Sequence, residues 1–180
     1  MTAWRNRIVR YGTVFARDLI ANPRNWRTHP RNQAEALVGI LDQVGWVQDV
    51  IINLRTGEEW GEEKGLETMI DGHLRAVTAY HNGEETEVPV KYVDLSPEEE
   101  ALILATLDPI TALAGVDKDR LEEILSIAKS EDGAVNKLLN DLRAVNGFKI
   151  PDVDFEEFTE DIEQEVEYHV CPACGHNFPK

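Results

Sequence analysis

Polar and apolar positions alternate through "RIVRYGTVF", which predicts a β-strand. The period is then lost. "DLIANPRNWRTHPRN" carries Pro23, Pro30 and three asparagines, and reads as a loop. Apolar residues return at helical spacing in "NQAEALVGILDQVGW", where Ala36, Leu37, Ile40, Leu41 and Val44 share one face and Gly45 supplies a stop. "VQDVIINLRTG" is a β-rich run ended by a turn. "EEWGEEKG", rich in glutamate and glycine, reads as a solvated hairpin loop. "LETMI" is a strand, "HLRAVTAYHNG" a helix closed by Asn82 and Gly83, and "EVPVKYVDL" another strand.

After Leu95 the pattern becomes wholly helical. "SPEEEALILATLDPITALAG" opens with Ser96 as N-cap, Pro97 at the first helical position and acids in the first turn. Pro109 is expected to kink or break this helix. "DKDRLEEILSIAKSED" and "AVNKLLNDLRAVNG" are two further amphipathic helices. Their leucines form either a small helical core or a stripe for a partner, a second copy of the chain included. From Asp152 to His169 there are nine acids and no Lys or Arg, the composition of a solvated linker. The expected organisation is therefore an α/β (α+β) domain over 1–95, a helical extension over 96–147, an acidic linker over 148–169 and a cysteine-bearing tail over 170–180. No internal repeat is evident.

Charge refines this picture. The chain's net charge is −16, yet Met1 to Arg31 holds seven arginines and one acid. That segment is +6, leaving −22 for the remainder. A chain this acidic is a poor non-specific DNA binder as a whole. The basic segment could still touch DNA phosphates, or its arginines could pair with the acidic body. No apolar run approaches the length a membrane span needs, so no membrane partner is expected. The start of the chain lacks the apolar block of a signal peptide, and a cytoplasmic location is expected.

Two short stretches carry chemistry. In "MIDGHLR" a strand hands over to a helix through glycine. A helix start leaves free N–H donors and a partial positive charge. Gly72 has no Cβ to keep a phosphate away. Arg75 could add a bidentate contact, His73 could donate a hydrogen bond or exchange a proton, and Asp71 could cap the helix or orient a metal or hydroxyl. The plainer reading is a turn at Asp71 and Gly72 with two surface residues behind it. At the other end, "CPACGH" is half of a zinc ribbon. Cys171 and Cys174 are the expected zinc ligands, joined by His176 or His169. The alternative is a tail bearing two free thiols. Trp46 is expected in the core, and Trp26 in the loop beside the proposed pocket.

In their order, "ANPRNWRTH", "GWVQDVIIN", "MIDGHLRAVTA" and "VPVKYVDLSPEEEALILATLD" resemble the ParB/sulfiredoxin-like (ParB-like nuclease) domain over about Val14 to Ala114. The segments "NWRTHP", "DGHLR", "LATLDPI" and the Cys-Pro-x-Cys-Gly-His sequence are similar to the ParB-like N-terminal region of phage and prophage DNA methyltransferases. The chain has no methyltransferase motif of its own. The resemblance implies a small mixed sheet with helices. It implies phosphate contact by Gly72, His73 and Arg75, with support from Asn22 and Arg27. The nucleotide would be CTP or ATP, with Mg²⁺. The reactive cysteine of sulfiredoxin falls on His73, so peroxiredoxin repair is not implied. The Glu-Asn-x-x-Arg segment of partitioning proteins is matched by "LDPITA", where Asp108 could replace the acid but Pro109 and Ala112 replace the asparagine and arginine. CTP switching and clamp closure therefore do not carry over. The helices after Val116 are acidic, and no recognition helix for a centromere sequence is found.

The resulting expectation is a phage- or prophage-type DNA-metabolism accessory protein that binds a nucleotide or nucleic-acid phosphate at the Gly72 turn. Its partners would be DNA and a DNA methyltransferase or another phage protein, in the bacterial host's cytoplasm. Two alternatives stand beside it. One is an enzyme: a metal-dependent nuclease using Asp71, His73 and Glu35 or Asp108, or a nucleotide-dependent kinase with Glu35 as base. The other is a non-catalytic interaction module.

Overall fold

A computed structural model of the chain describes residues 3–150, 168–170 and 177–179. Two compact units are present, Met1–Phe148 and Lys149–Lys180. The first holds a four-stranded sheet of β1 (Ile8–Phe15), β2 (Val50–Asn53), β3 (Thr68–Asp71) and β4 (Glu87–Val93), in the order β1-β4-β2-β3. β2 runs parallel to β4, while β1 with β4 and β2 with β3 are antiparallel. Five helices accompany it: α1 (Arg31–Gln43), α2 (His73–Asn82), α3 (Pro97–Ala112), α4 (Lys118–Ile127) and α5 (Gly133–Asn146). The architecture is thus α+β with a small mixed sheet. In the second unit β5 (Tyr168–Val170) pairs antiparallel with β6 (Asn177–Pro179). The expected zinc ligands Cys171, Cys174 and His176 and most of the acidic linker lie outside the described residues.

Alternation along the strands sets the core. Val88, Val90 and Tyr92 of β4 point to one face with Val50 and Ile52 of β2 and Met69 of β3, where Ala76 and Ala79 of α2 cover them. Two alanines let the helix lie close to the sheet. Each fully buried valine, isoleucine or methionine of this face contributes roughly 1.5–3 kcal/mol. Ile70 and Val93 sit on the opposite face, under Leu104 of α3, with Leu95 beside them.

Three local expectations are corrected. "EEWGEEKG" is not a solvated hairpin loop. It forms a 3-10 turn, Glu58–Glu63, around the buried Trp60. The Trp60 Nε1–H donates to the Leu95 carbonyl at 3.0 Å, and the Arg55 guanidinium lies 4.4 Å from its ring centre. Its glycines and glutamates mask one aromatic anchor. Of the two outcomes expected at Pro109, a kink or a break, the break does not occur, since α3 runs on to Ala112. The proline falls in the last turn, where the helix forfeits one hydrogen bond just before its end. Val44, expected on the buried face of α1, is 63% exposed, and the helix buries Ala36 and Gly39.

Val44 falls just past the helix, as its C-cap, while Gly39 is buried by a contact with α5. A Cβ at Gly39 would stand 2.6 Å from the Asp132 carboxyl carbon and 2.7 Å from Val135 Cγ2. Asp132 is the N-cap of α5, accepting from the Val135 amide at 2.8 Å. Gln43 adds a bond from its Nε2 to the Lys129 carbonyl, 2.9 Å, and accepts from Ser130 Oγ at 2.7 Å. α5 therefore docks on α1, and the expected boundary near Leu95 falls inside the first unit.

The start of α3 is fastened more deeply. Ser96 and Glu99 form the capping box: the Glu99 amide donates to Ser96 Oγ and the Ser96 amide to Glu99 Oε2. Glu100, the next residue, is fully buried. Its carboxylate accepts from Asn22 Nδ2 at 2.9 Å, Asn53 Nδ2 at 2.8 Å, and Arg55 Nη2 and Nε at 2.8 and 3.2 Å. Burial pushes this carboxyl up, but the bonds from Arg55, Asn53 and Asn22 more than offset it and hold it below the ordinary 4.5. A depressed carboxyl gives stability that is complete above 4.5 and is lost as pH falls through the folded-state value. We expect Glu100→Gln to lower stability by about 3–5 kcal/mol in urea unfolding at pH 7. The variant should also lose part of the wild type's decline in acid.

Candidate functional site

β3 delivers Asp71 to the edge of the sheet, and the chain turns at Gly72 into α2. Gly72 adopts φ +89°, left-handed backbone that glycine enters without strain. Space demands glycine as well. A Cβ there would lie 3.0 Å from Val50 Cγ2 and 3.1 Å from Arg75 Nη2. No side chain among the described residues caps α2. The amides of its first three residues, His73, Leu74 and Arg75, find no acceptor among the described residues, so the positive end of the helix is open.

Asp71 does not cap the helix. It bridges two arginines, accepting from Arg27 Nη1 at 3.1 Å and Arg75 Nη2 at 2.8 Å. Arg75 also bonds Gln48 Oε1 at 2.9 Å and the Asp49 carbonyl at 3.2 Å. Arg27 pairs through Nε with Asp108 of α3. Among the described residues two buried donors remain without a partner, Arg27 Nη2 and Arg75 Nε. Orphaned guanidinium N–H groups on both arms of one carboxylate mark a place where an acceptor is wanted.

His73 Nε2 accepts the Asn22 backbone N–H at 3.2 Å, so Nδ1 carries the ring proton. Burial lowers its pKa below the ordinary 6.5. Asp71 opposes the shift, while Arg27 and His29 reinforce it. The imidazole is thus neutral at pH 7, and its remaining nitrogen is a donor. The Asn22 side chain belongs to the Glu100 cluster and accepts from the Arg24 amide, so Asn22 reaches this site only through its backbone. Glu35 is exposed on α1 and paired with Arg31 at 2.6 Å.

These groups line a cavity of about 490 Å³. Asp71, Gly72, His73 and Arg75 enter from the turn, Arg27 from the loop, Glu35 from α1 and Asp108 from α3. Lys137 and Asp141 of α5 complete the wall. A second cavity of about 770 Å³ shares His29, His73 and Leu74 with the first and is bounded by Trp46. Trp46 packs against the core, as expected. Trp26 donates its indole N–H to the Leu104 carbonyl at 3.0 Å and lines neither cavity.

The basic segment is neutralised on the molecule. Arg5 and Arg7 pair with Glu99, Arg10 with Glu67, Arg17 with Glu85, Arg24 with Glu63, Arg27 with Asp71 and Asp108, and Arg31 with Glu35. Among the described residues no group of three or more His, Cys, Asp or Glu side chains is placed to hold a metal ion, and no helix is long and apolar enough to cross a membrane.

No family model and no curated protein matches the chain. Solved structures do. The chain is similar to the C-terminally truncated chromosome-partitioning protein ParB from Caulobacter crescentus complexed with CTP-gamma-S, at 18% identity over 78% of this chain and 73% of that one, with a TM-score of 0.48. It is also similar to a Pnob8-like ParB-N domain, at 11% identity over 97% of this chain and 59% of that one, with a TM-score of 0.42. Both likenesses are distant, and what the cavity can do follows from its own side chains.

Sequence reasoning brought Asp71, Gly72, His73, Arg75 and Arg27 to one place, and the fold unites them. It missed Lys137 and Asp141, which arrive only because α5 docks at Gly39. It also missed Arg55 and Glu100. The polar "NLR" that ends the apolar run of β2 was the available signal, since polar groups at the end of a buried strand need partners.

A lowered histidine pKa has a signed consequence. His73 takes its proton more readily in the unfolded chain, so stability is level above 6.5 and declines as pH drops below it. His73→Asn is expected to flatten that part of the stability–pH curve, read as melting temperature between pH 7.5 and the onset of carboxylate titration.

Proposed function

We propose that the first unit binds a phosphate-bearing ligand, a nucleotide or a phosphate of nucleic acid, at the start of α2. The observation that carries this reading is the uncapped helix terminus opening on the cavity beside Arg27 and Arg75, each with an unpartnered buried N–H. Backbone amides at a helix start, a guanidinium pair and a neutral histidine donor are the groups that phosphate oxygens accept from. The ordered Asn-Pro loop, Gly-x-x-Arg turn and acidic helix support the same reading through their ParB/sulfiredoxin-like resemblance. On that resemblance the chain is a phage- or prophage-type accessory protein of DNA metabolism, working beside a DNA methyltransferase. CTP or ATP, with Mg²⁺ as counter-ion, is the nucleotide class.

Binding is favoured over catalysis. His73 uses Nε2 to accept from Asn22, so it offers a ligand a donor rather than a base. A nuclease using His73 as base would first have to release that nitrogen.

Thermal melting of the full chain with CTP, ATP and ADP, with and without Mg²⁺, tests the reading. A ligand at a hundred times its dissociation constant should add about 2.7 kcal/mol of stability and raise the melting temperature accordingly. Gly72→Val and Arg75→Ala should abolish the shift. A wild type indifferent to every nucleotide and to short DNA would leave the interaction module as the better account.

A further inference from the structure

The cavity's cations are not equally available, and the difference singles out a residue on α5. Arg27 is tied to Asp71 and Asp108, and Arg75 to Asp71, Gln48 and the Asp49 carbonyl, with side chains 14% and 19% exposed. Moving either guanidinium toward a ligand would strand a partly buried Asp71. The lining also carries four carboxylates, Glu35, Asp71, Asp108 and Asp141, against three cations, so the arginines are already balanced by fixed acids. Lys137 is the third cation. Among the described residues its ammonium makes a single polar contact, 2.8 Å to Asp141 one turn on, and both side chains are more than half exposed. An exposed pair at this helical spacing is worth only a few tenths of a kcal/mol, so it exchanges readily. A lysine is a compact charge on a flexible stem, able to reach where a fixed arginine cannot.

We propose that Lys137 is the mobile phosphate-binding cation of this cavity, leaving Asp141 to take the ligand's anionic oxygens, while Arg27 and Arg75 present their unpartnered N–H groups from fixed positions in the wall. The inference rests on the phosphate-binding reading above. It gives the docking of α5 at Gly39 a purpose: that contact brings the lysine into the wall of the cavity on which α2 opens. Asp141 then acts as a competitor, occupying Lys137 in the empty site.

The pair of single substitutions separates this role from a structural one. Lys137→Met and Asp141→Asn both break the same ion pair, so a merely structural pair would shift affinity in the same direction in both. The proposed role shifts it in opposite directions. Titration calorimetry of the full chain with inorganic pyrophosphate, at fixed ionic strength, reads this directly. Lys137→Met should weaken binding roughly tenfold or more, as expected for loss of a charge-assisted contact, while Lys137→Arg keeps most of it and Asp141→Asn tightens binding a few-fold. Wild-type binding that Lys137→Met leaves unchanged, or that both substitutions weaken alike, overturns this inference and leaves the phosphate site standing. A wild type that binds neither pyrophosphate nor any nucleotide overturns both.

Discussion

The fully buried Glu100 carboxylate is the constraint on which the arrangement of the first unit depends. Three segments distant in sequence meet on it: the Asn22 loop, the end of β2 through Asn53 and Arg55, and the first turn of α3. A carboxylate removed from water is costly unless every lone pair is used. Here four donors use them, and the cost becomes specificity, since no other register of α3 on the sheet would bring the same partners together. Arg55 extends the cluster to Glu63 at 2.7 Å and to the Trp60 ring. The glutamate-rich stretch before β3 is thereby ordered by the same charge.

The site inherits its geometry from this cluster. Asn22 gives its side chain to Glu100 and its backbone N–H to His73, so one residue couples the buried carboxylate to the start of α2. Asp71 plays the corresponding part at the surface, holding Arg27 from the loop and Arg75 from α2 in fixed relation. A rigid frame of paired charges leaves few groups to move when a ligand arrives. What is open is the helix terminus itself, where glycine replaces any capping side chain.

Much of the fold was legible because its elements follow plain periodicities. The alternation of β4, the helical spacing of α1 and the Ser96–Pro97 start of α3 are local signals that tertiary structure leaves alone. The failures came where one long-range contact outweighs local composition. Eight residues of mostly glutamate and glycine look solvated until Trp60 is seen to plug a hole beneath Leu95. Pro109 looks like a helix breaker until its place in the final turn is known. Val44 has the spacing of the apolar stripe of α1, but it falls one residue past the helix and stays exposed. At the site, the turn from Asp71 to Arg75 was readable because strand, glycine and helix are contiguous. Lys137 was not, because it lies 62 positions beyond Arg75 (137 − 75 = 62) and only the packing of α5 on α1 closes the gap.

The pairing of the N-terminal arginines has a bearing on how the protein meets a polyanion. A chain of net charge −16 whose seven early arginines rest against its own acids approaches nucleic acid against a repulsive field. Added electrolyte shortens the reach of that field, to about 10 Å at 0.1 M. For this protein, modest salt should therefore speed the first encounter, the reverse of the behaviour of a basic DNA-binding surface, which salt strips of its advantage.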